Sequence, residues 1–391
     1  MAAFGTIILY PIFWGVTLRG YPDIAGLIPM GLAGLMILRS EWLTKANISE
    51  SVAVGLLIWA TFLIRRHFAY TLVAMMAVTF AFAVVKVALS NNERGIALIR
   101  LVRNNATAAI CIGLSAFLVQ GPLLSRIINT SYRDLYSAYQ KEWVLKIQDV
   151  YDIHGPIWIS LFTLGILYAI YQRNIKTLFC LSVGLCSYVF FAQTQAPDYH
   201  QFTGFSLWFA PVVAWPLHLI NQNNRTALKA AFTGIFIGLM ASLLLPALAS
   251  PQLRKSTWLS WNQPLQPPVR FPPFKLNSYS SLRNQVTELE SPTYQGKTIW
   301  VLSSSIELNS SIIQSLSKKI RWNILSTGEI DKRDGFRVDD GLSADYVVTT
   351  WKPSIHQRPE DQQVIIVPTR AIFDPNSPRI ALLLSPSKAF I

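Results

Sequence analysis

Arg65, Arg66 and His67 sit together in the apolar run Leu56–Met76, LLIWATFLIRRHFAYTLVAMM. Guanidinium forks grip phosphate bidentately, and a low-dielectric rim strengthens that contact. The same side chains can instead snorkel to lipid headgroups, and both readings stand. Asp23 follows Gly20-Tyr21-Pro22 at the entry to another apolar run. A carboxylate there is costly unless it faces protein or water. It can serve a site, or it can cap the helix it opens, where its charge suits the N-terminus. The stretch Gln193–Gln201, QTQAPDYHQ, sets Asp198 and His200 two residues apart. Such a pair can pass protons, bind a cation, or simply be polar residues of a membrane interface. Two ligands are too few for a zinc pattern. No Ser-His-Asp arrangement and no phosphate-binding glycine loop is legible, so no cofactor is expected, and a divalent metal stays open.

These residues need elements to hold them. Half of the chain (51%) is hydrophobic and 14% is charged, against about 25% charged in a typical soluble protein. That composition points to a membrane protein. The net charge of +13 is spread without a block of like charge, so it speaks for membrane orientation rather than nucleic-acid binding. Apolar runs near 3–18, 23–38, 51–64, 68–89, 105–123, 156–172, 177–193, 203–220 and 229–248 give about nine transmembrane helices. The Arg-Arg-His run falls between two of them. Residues 51–89 are too many for one span, which needs about 20. The three cysteines, Cys111, Cys180 and Cys186, all lie in apolar runs and read as packing residues.

Charges in the connections set an orientation. Arg39, Lys45, Arg94, Arg100, Arg103, Arg173, Lys176, Arg225 and Lys229 fall on one set of loops, which belongs in the cytoplasm with the N-terminus. The turns at 19–22, 65–67, 124–155 and 194–202, and the tail, then share the outer face. The basic turn at 65–67 breaks the positive-inside rule and asks for a reason other than topology. Loop 124–155 carries Tyr132, Tyr136 and Tyr139 at helical spacing, with Trp143, Ile147 and Val150 extending a similar stripe. It reads as an amphipathic helix lying on the membrane or over a cavity.

The transmembrane domain therefore takes residues 1–250, and a proline-rich connector takes 251–273, where Trp258 and Trp261 suit the membrane interface. Residues 274–391 hold a small soluble α/β domain with a mostly parallel sheet. Its expected strands are Thr298–Leu302, Trp322–Leu325, Tyr346–Thr349 and Val364–Val367, with a helix over Asn309–Leu316 capped by Asn309. The turn after the first strand, SSSIELNSS, has no glycine and is no nucleotide fingerprint.

Three stretches, RGYPDIAGLI, GLLIWATFLIRRHFAYTLV and DYHQFTGFSLWFAP, resemble segments of the polytopic GT-C glycosyltransferases. The nearest look is to the branch of protein mannosyltransferases and aminoarabinose transferases. In the second stretch Trp59-Ala60 stands where that family has a glycine. The resemblance implies a plasma- or inner-membrane enzyme that takes a sugar from a polyprenyl-phosphate donor at its outer face by inverting transfer. It implies that Arg65 and Arg66 neutralise the departing phosphate, that His67 lines the site, and that Asp198 or His200 contacts sugar or acceptor. Aligned this way, the chain starts at the family's third span, and the family's catalytic acid on the first outer loop is missing. Asp23 matches a different loop, so no general base is assigned, and a truncated or inactive member is one expectation. The rival expectation is a non-catalytic membrane protein: a lipid or polysaccharide export subunit, or a scaffold with an extracytoplasmic binding domain.

Overall fold

The computed structural model describes residues 22–89, 94–222, 280–305, 308–325, 328–373 and 389–390, with a few single positions elsewhere. The chain divides into two compact units. One is Met1–Thr130 with Lys141–Pro273, and the other is Ser131–Gln140 with Phe274–Ile391.

The first unit is helical. Helix α1 (Asp23–Arg39) opens behind Pro22 and buries Asp23, Gly26, Leu27, Met30, Ala33, Gly34 and Ile37 along one stripe. Helix α2 (Ile48–Ile64) starts with a reciprocal capping box between Asn47 and Glu50, and it buries Ser51, Val54, Gly55, Ile58 and Thr61. Arg65 then takes an extended conformation, a single 3₁₀ turn covers Arg66–Phe68, and α3 runs over Ala69–Leu89. The basic run is thus a turn between two helices. Helix α4 (Arg94–Ile128) departs from helical geometry at Gln120, ahead of Pro122, whose ring and missing N–H break the ladder. Its apolar side chains, Ile99, Ile110, Leu114 and Phe117 among them, are mostly exposed, as on a surface bathed in lipid.

Helix α6 (Trp143–Tyr171) breaks at Gly155-Pro156, and its two halves stand at 95°. The break needs a φ of 75° at Gly155, which a residue without Cβ adopts freely. Helices α7 (Ile175–Ala192) and α8 (Tyr199–Gln222) complete the unit. Lys146, buried in the first half of α6, donates to the carbonyl of Ala192 at 2.5 Å. It thereby places a cation on the C-terminus of α7.

Among the described residues, Arg66–Leu89, Arg94–Ile128 and Ile175–Ala192 are long and apolar enough to cross a membrane, and the bent α6 pair would make a fourth. The expected count of about nine spans is not supported. Helices α1 and α2 have 17 residues each, about 25 Å at 1.5 Å per residue, short of a hydrocarbon core of about 30 Å. The expected runs 3–18 and 229–248 fall almost wholly outside the described residues, and the connector 251–273 does so entirely.

The second unit is α/β. Strands β1 (Ile299–Leu302), β2 (Ile324–Leu325), β3 (Tyr346–Thr349) and β4 (Ala389–Phe390) form a parallel sheet in the order β2-β1-β3-β4. Every residue of β1 is buried, as expected of a strand covered on both faces. Ile299 and Val301 pack with Val286 and Leu289 of α9 (Ser280–Leu289) and with Ile313 of α10 (Ser310–Leu316). Trp300 and Leu302 face the other way, toward Ala344 and Val347. Asn309 caps α10 by accepting from Ile312 N at 2.9 Å.

Two expectations change here. Val364–Val367 is not a strand: it lies in helix α13 (Gln363–Phe373), which follows the short helices α11 (Asp331–Asp334) and α12 (Val338–Leu342). A four-residue apolar run cannot be told from one buried face of a helix. Nor is loop 124–155 one amphipathic helix. Ser131–Gln140 belongs to the second unit, where the short helix α5 (Tyr132–Leu135) and a 3₁₀ turn stack Tyr132 on Tyr136. Tyr139 accepts a hydrogen bond from Arg333 at 2.9 Å. Only Trp143–Pro156 forms a long helix, with Val144, Ile147 and Tyr151 exposed.

Candidate functional site

Asp23, Arg65, His67 and His200 come from three separate stretches and meet in the first unit. Asp23 is fully buried at the start of α1. Its Oδ2 lies 3.0 Å from an Arg65 Nη, and its Oδ1 lies 3.1 Å from His67 Nε2. The His67 and His200 rings meet edge to face at 5.7 Å between centroids. A buried carboxylate is tolerated only with such partners. The N-terminus of α1 adds its own positive end to the same carboxylate.

Phe68 sets this geometry. It is fully buried, and its ring lies between α1 and α8. A Cβ on Gly26 would meet the ring at 2.6 Å, and a Cβ on Gly204 would meet it at 2.8 Å. Only glycine at those two positions lets the ring in. The ring in turn fixes the short turn that carries Arg65 and His67 above Asp23. The apolar shell continues through Ile24, Tyr70, Phe191, Phe202 and Phe205.

Of the remaining two candidates, Arg66 stays outside the cluster and Asp198 lies at its edge, within electrostatic reach of His200. Arg66 is exposed on the turn, and Asp198 is exposed at the start of α8. The Asp198 backbone N–H donates to Gln201 Oε1 at 2.7 Å. Gln201 is buried, and its side-chain nitrogen lies 2.7 Å from His200 Nε2. Gln201 escaped the sequence reading, although Asp198-Tyr-His-Gln201 has the spacing of a capping box. His154 lies on α6, just before its break at Gly155. It is buried, stacked on Trp158 at 4.3 Å and edge-on to Phe202 at 4.9 Å.

Chemically, the cluster offers an imidazole oriented by a carboxylate and a guanidinium fixed beside it. A carboxylate on one imidazole nitrogen sets the tautomer and leaves the other nitrogen for proton exchange. Counting Arg65 and Arg66 against Asp23, the turn carries a surplus positive charge, and a protonated His67 adds to it.

A second polar nexus lies in the α/β unit, beyond the carboxyl end of β1. Ser304 Oγ is 2.9 Å from His356 Nδ1 and accepts from Gln362 Nε2 at 2.8 Å. The Gln362 side chain, fully buried, also accepts from the backbone N–H of His356 and of Gln357. Desolvation pushes the His356 pKa below the ordinary imidazole value; Arg333 adds to this, and the bond at Ser304 opposes it. Ser304 is buried, so the arrangement organises a loop rather than presenting a nucleophile.

Among the described residues, no three His, Cys, Asp or Glu side chains come together closely enough to hold a metal ion. Comparison with protein-family models, with curated proteins and with solved structures returned no match.

Proposed function

We propose that the chain is a multi-pass protein of the inner or plasma membrane that binds a polyprenyl-phosphate-linked sugar beside Asp23, Arg65 and His67. It passes the sugar to an acceptor on the outer face. The observation that carries this reading is the convergence of Asp23, Arg65, His67 and His200 from separate stretches at the ends of apolar helices. In the reaction an acceptor hydroxyl oxygen attacks the anomeric carbon, the lipid phosphate leaves with the bonding pair, and the hydroxyl proton passes to that departing phosphate. Arg65, held in place by Asp23, and Arg66, exposed on the same turn, stabilise the charge that develops on that phosphate. The joining of Ser131–Gln140 with the C-terminal residues in one unit supports placing that segment and the tail on one face.

One observation favours a second reading. Asp23 is wholly buried, with an oxygen toward each of Arg65 and His67, as in a staple that fastens α1 to the α2–α3 turn of a non-catalytic export subunit or scaffold. Binding of undecaprenyl phosphate to the full chain in nanodiscs separates the two. Arg66 is exposed, so Arg66→Ala leaves the unfolding temperature unchanged. If the turn grips phosphate, that variant weakens binding about 10- to 100-fold, the range for losing a charge-assisted contact of about 1.5–3 kcal/mol. Unchanged binding in both Arg65→Ala and Arg66→Ala overturns the transferase reading and leaves the staple.

A further inference from the structure

The strand order β2-β1-β3-β4 places a topological switch point between β1 and β3. The chain leaves β1 for a neighbour on one side and returns to pair on the other. In open parallel sheets ligands bind in the crevice beyond the carboxyl ends of the strands at such a point. A cavity of about 520 Å³ lies beside the carboxyl end of β3, one of the two strands that flank this point. Val348, Thr349 and Thr350 at the end of β3 line it, together with Leu308 of the β1–α10 connection and Leu282, Gln285 and Glu288 of α9. Topology and cavity are independent observations, and they agree.

The lining selects a ligand. No lysine or arginine is among the described lining residues, which gives a phosphate or carboxylate no counter-charge there. The exposed rim is rich in acceptors. Glu288 offers a carboxylate and Gln285 an amide oxygen. The Thr350 hydroxyl already donates to Lys352 O at 2.5 Å, which leaves its lone pairs to accept. The wall is apolar and includes the half-buried ring of Tyr294, which meets Tyr346 edge to face at 4.8 Å. A ligand that fits must donate hydrogen bonds, carry no negative charge, and own an apolar face for a ring and three leucines. A pyranose does all three: its hydroxyls donate, and its C–H face stacks. The volume falls within the 300–1,000 Å³ of ordinary small-molecule sites.

We infer that the α/β unit is a carbohydrate-binding module that holds one or two neutral sugar residues between α9 and the carboxyl end of β3. The inference stands apart from the lipid-phosphate site, since no residue is shared.

The test uses the full chain in nanodiscs and saturation-transfer NMR with maltose, cellobiose, chitobiose and mannobiose as neutral probes and glucose 6-phosphate as the anionic one. At least one neutral disaccharide binds with a Kd near or below about 1 mM, and glucose 6-phosphate does not. Glu288→Gln and Thr350→Val, both at the rim, each weaken binding tenfold or more while the unfolding temperature stays put. Arg65→Ala leaves sugar binding untouched, so failure here is distinct from failure of the transferase reading. Binding of none of the four neutral sugars overturns the inference. Equal binding of glucose 6-phosphate does so too, as does neutral-sugar binding that both rim variants leave intact.

Discussion

The two ends of α1 both carry ion pairs, and they are built differently. At the N-terminal end Asp23 is fully buried between Arg65 and His67. Beyond the C-terminal end Glu41 pairs with Lys45 at 2.5 Å and with Lys86 of α3, groups that keep about a third or more of their side chains in solvent. The backbone there pays in conformation instead. Glu41, Trp42 and Leu43 have φ of 51°, 61° and 66°, a left-handed turn that costs roughly 1–2 kcal/mol per residue. Buried Asn104 holds it by donating to the carbonyls of Leu43 and Ala46 at 2.7 and 2.8 Å. One end concentrates its cost in a buried charge, and the other spreads it over a strained turn under exposed pairs. The first kind of cost is the one that marks a site.

Removing the buried charge should have the largest effect. Asp23→Ala leaves Arg65 and His67 facing each other without their carboxylate. It should destabilise the first unit by about 3–5 kcal/mol, the range for breaking a buried pair on one side. Thermal unfolding in detergent reads this directly, and a loss below about 1 kcal/mol would make this end no different from an exposed pair. Gly26→Ala tests the clamp that aims the turn. Its new methyl would meet the Phe68 ring at 2.6 Å, and overpacking of that kind costs about 1–3 kcal/mol. It should also weaken lipid-phosphate binding, because the turn moves with the ring. Glu41→Gln is the smallest change. Its partners are solvated, so unfolding should shift by no more than about 1 kcal/mol. A larger loss would mean that Glu41 also supports the left-handed turn.

Much of this was legible before the structure. Three cationizable residues inside an apolar run forced a turn at Arg65–His67, because no bilayer needs so long a span. Asp23 and His200 stood out as polar residues at apolar boundaries, and both reach the cluster. What sequence could not supply was the pairing across stretches. Nothing local says that Phe68 enters a slot made by Gly26 and Gly204, since each glycine alone reads as a helix residue of low propensity. Arg66 and Asp198 were equal to their neighbours by type, and only the turn geometry separates Arg66 from Arg65. The count of about nine spans is not supported: the runs 23–38 and 51–64 lie on helices of only 17 residues each, and the runs 3–18 and 229–248 fall almost wholly outside the described residues. In the α/β unit β1 and β3 were plain from continuous apolar runs, whereas Val364–Val367 carried the same signal on a helix.

The tyrosine segment Ser131–Gln140 has a consequence for how the protein is made. Arg333 reaches Tyr139 across 194 residues of sequence. The α/β unit is therefore discontinuous: a ribosome delivers its first ten residues well before the rest. Closing a loop of that size costs about 5 kcal/mol of chain entropy, so the strap can join only after the sheet exists to receive it. Synthesis order thus makes Tyr132–Tyr139 wait for the sheet before it can settle.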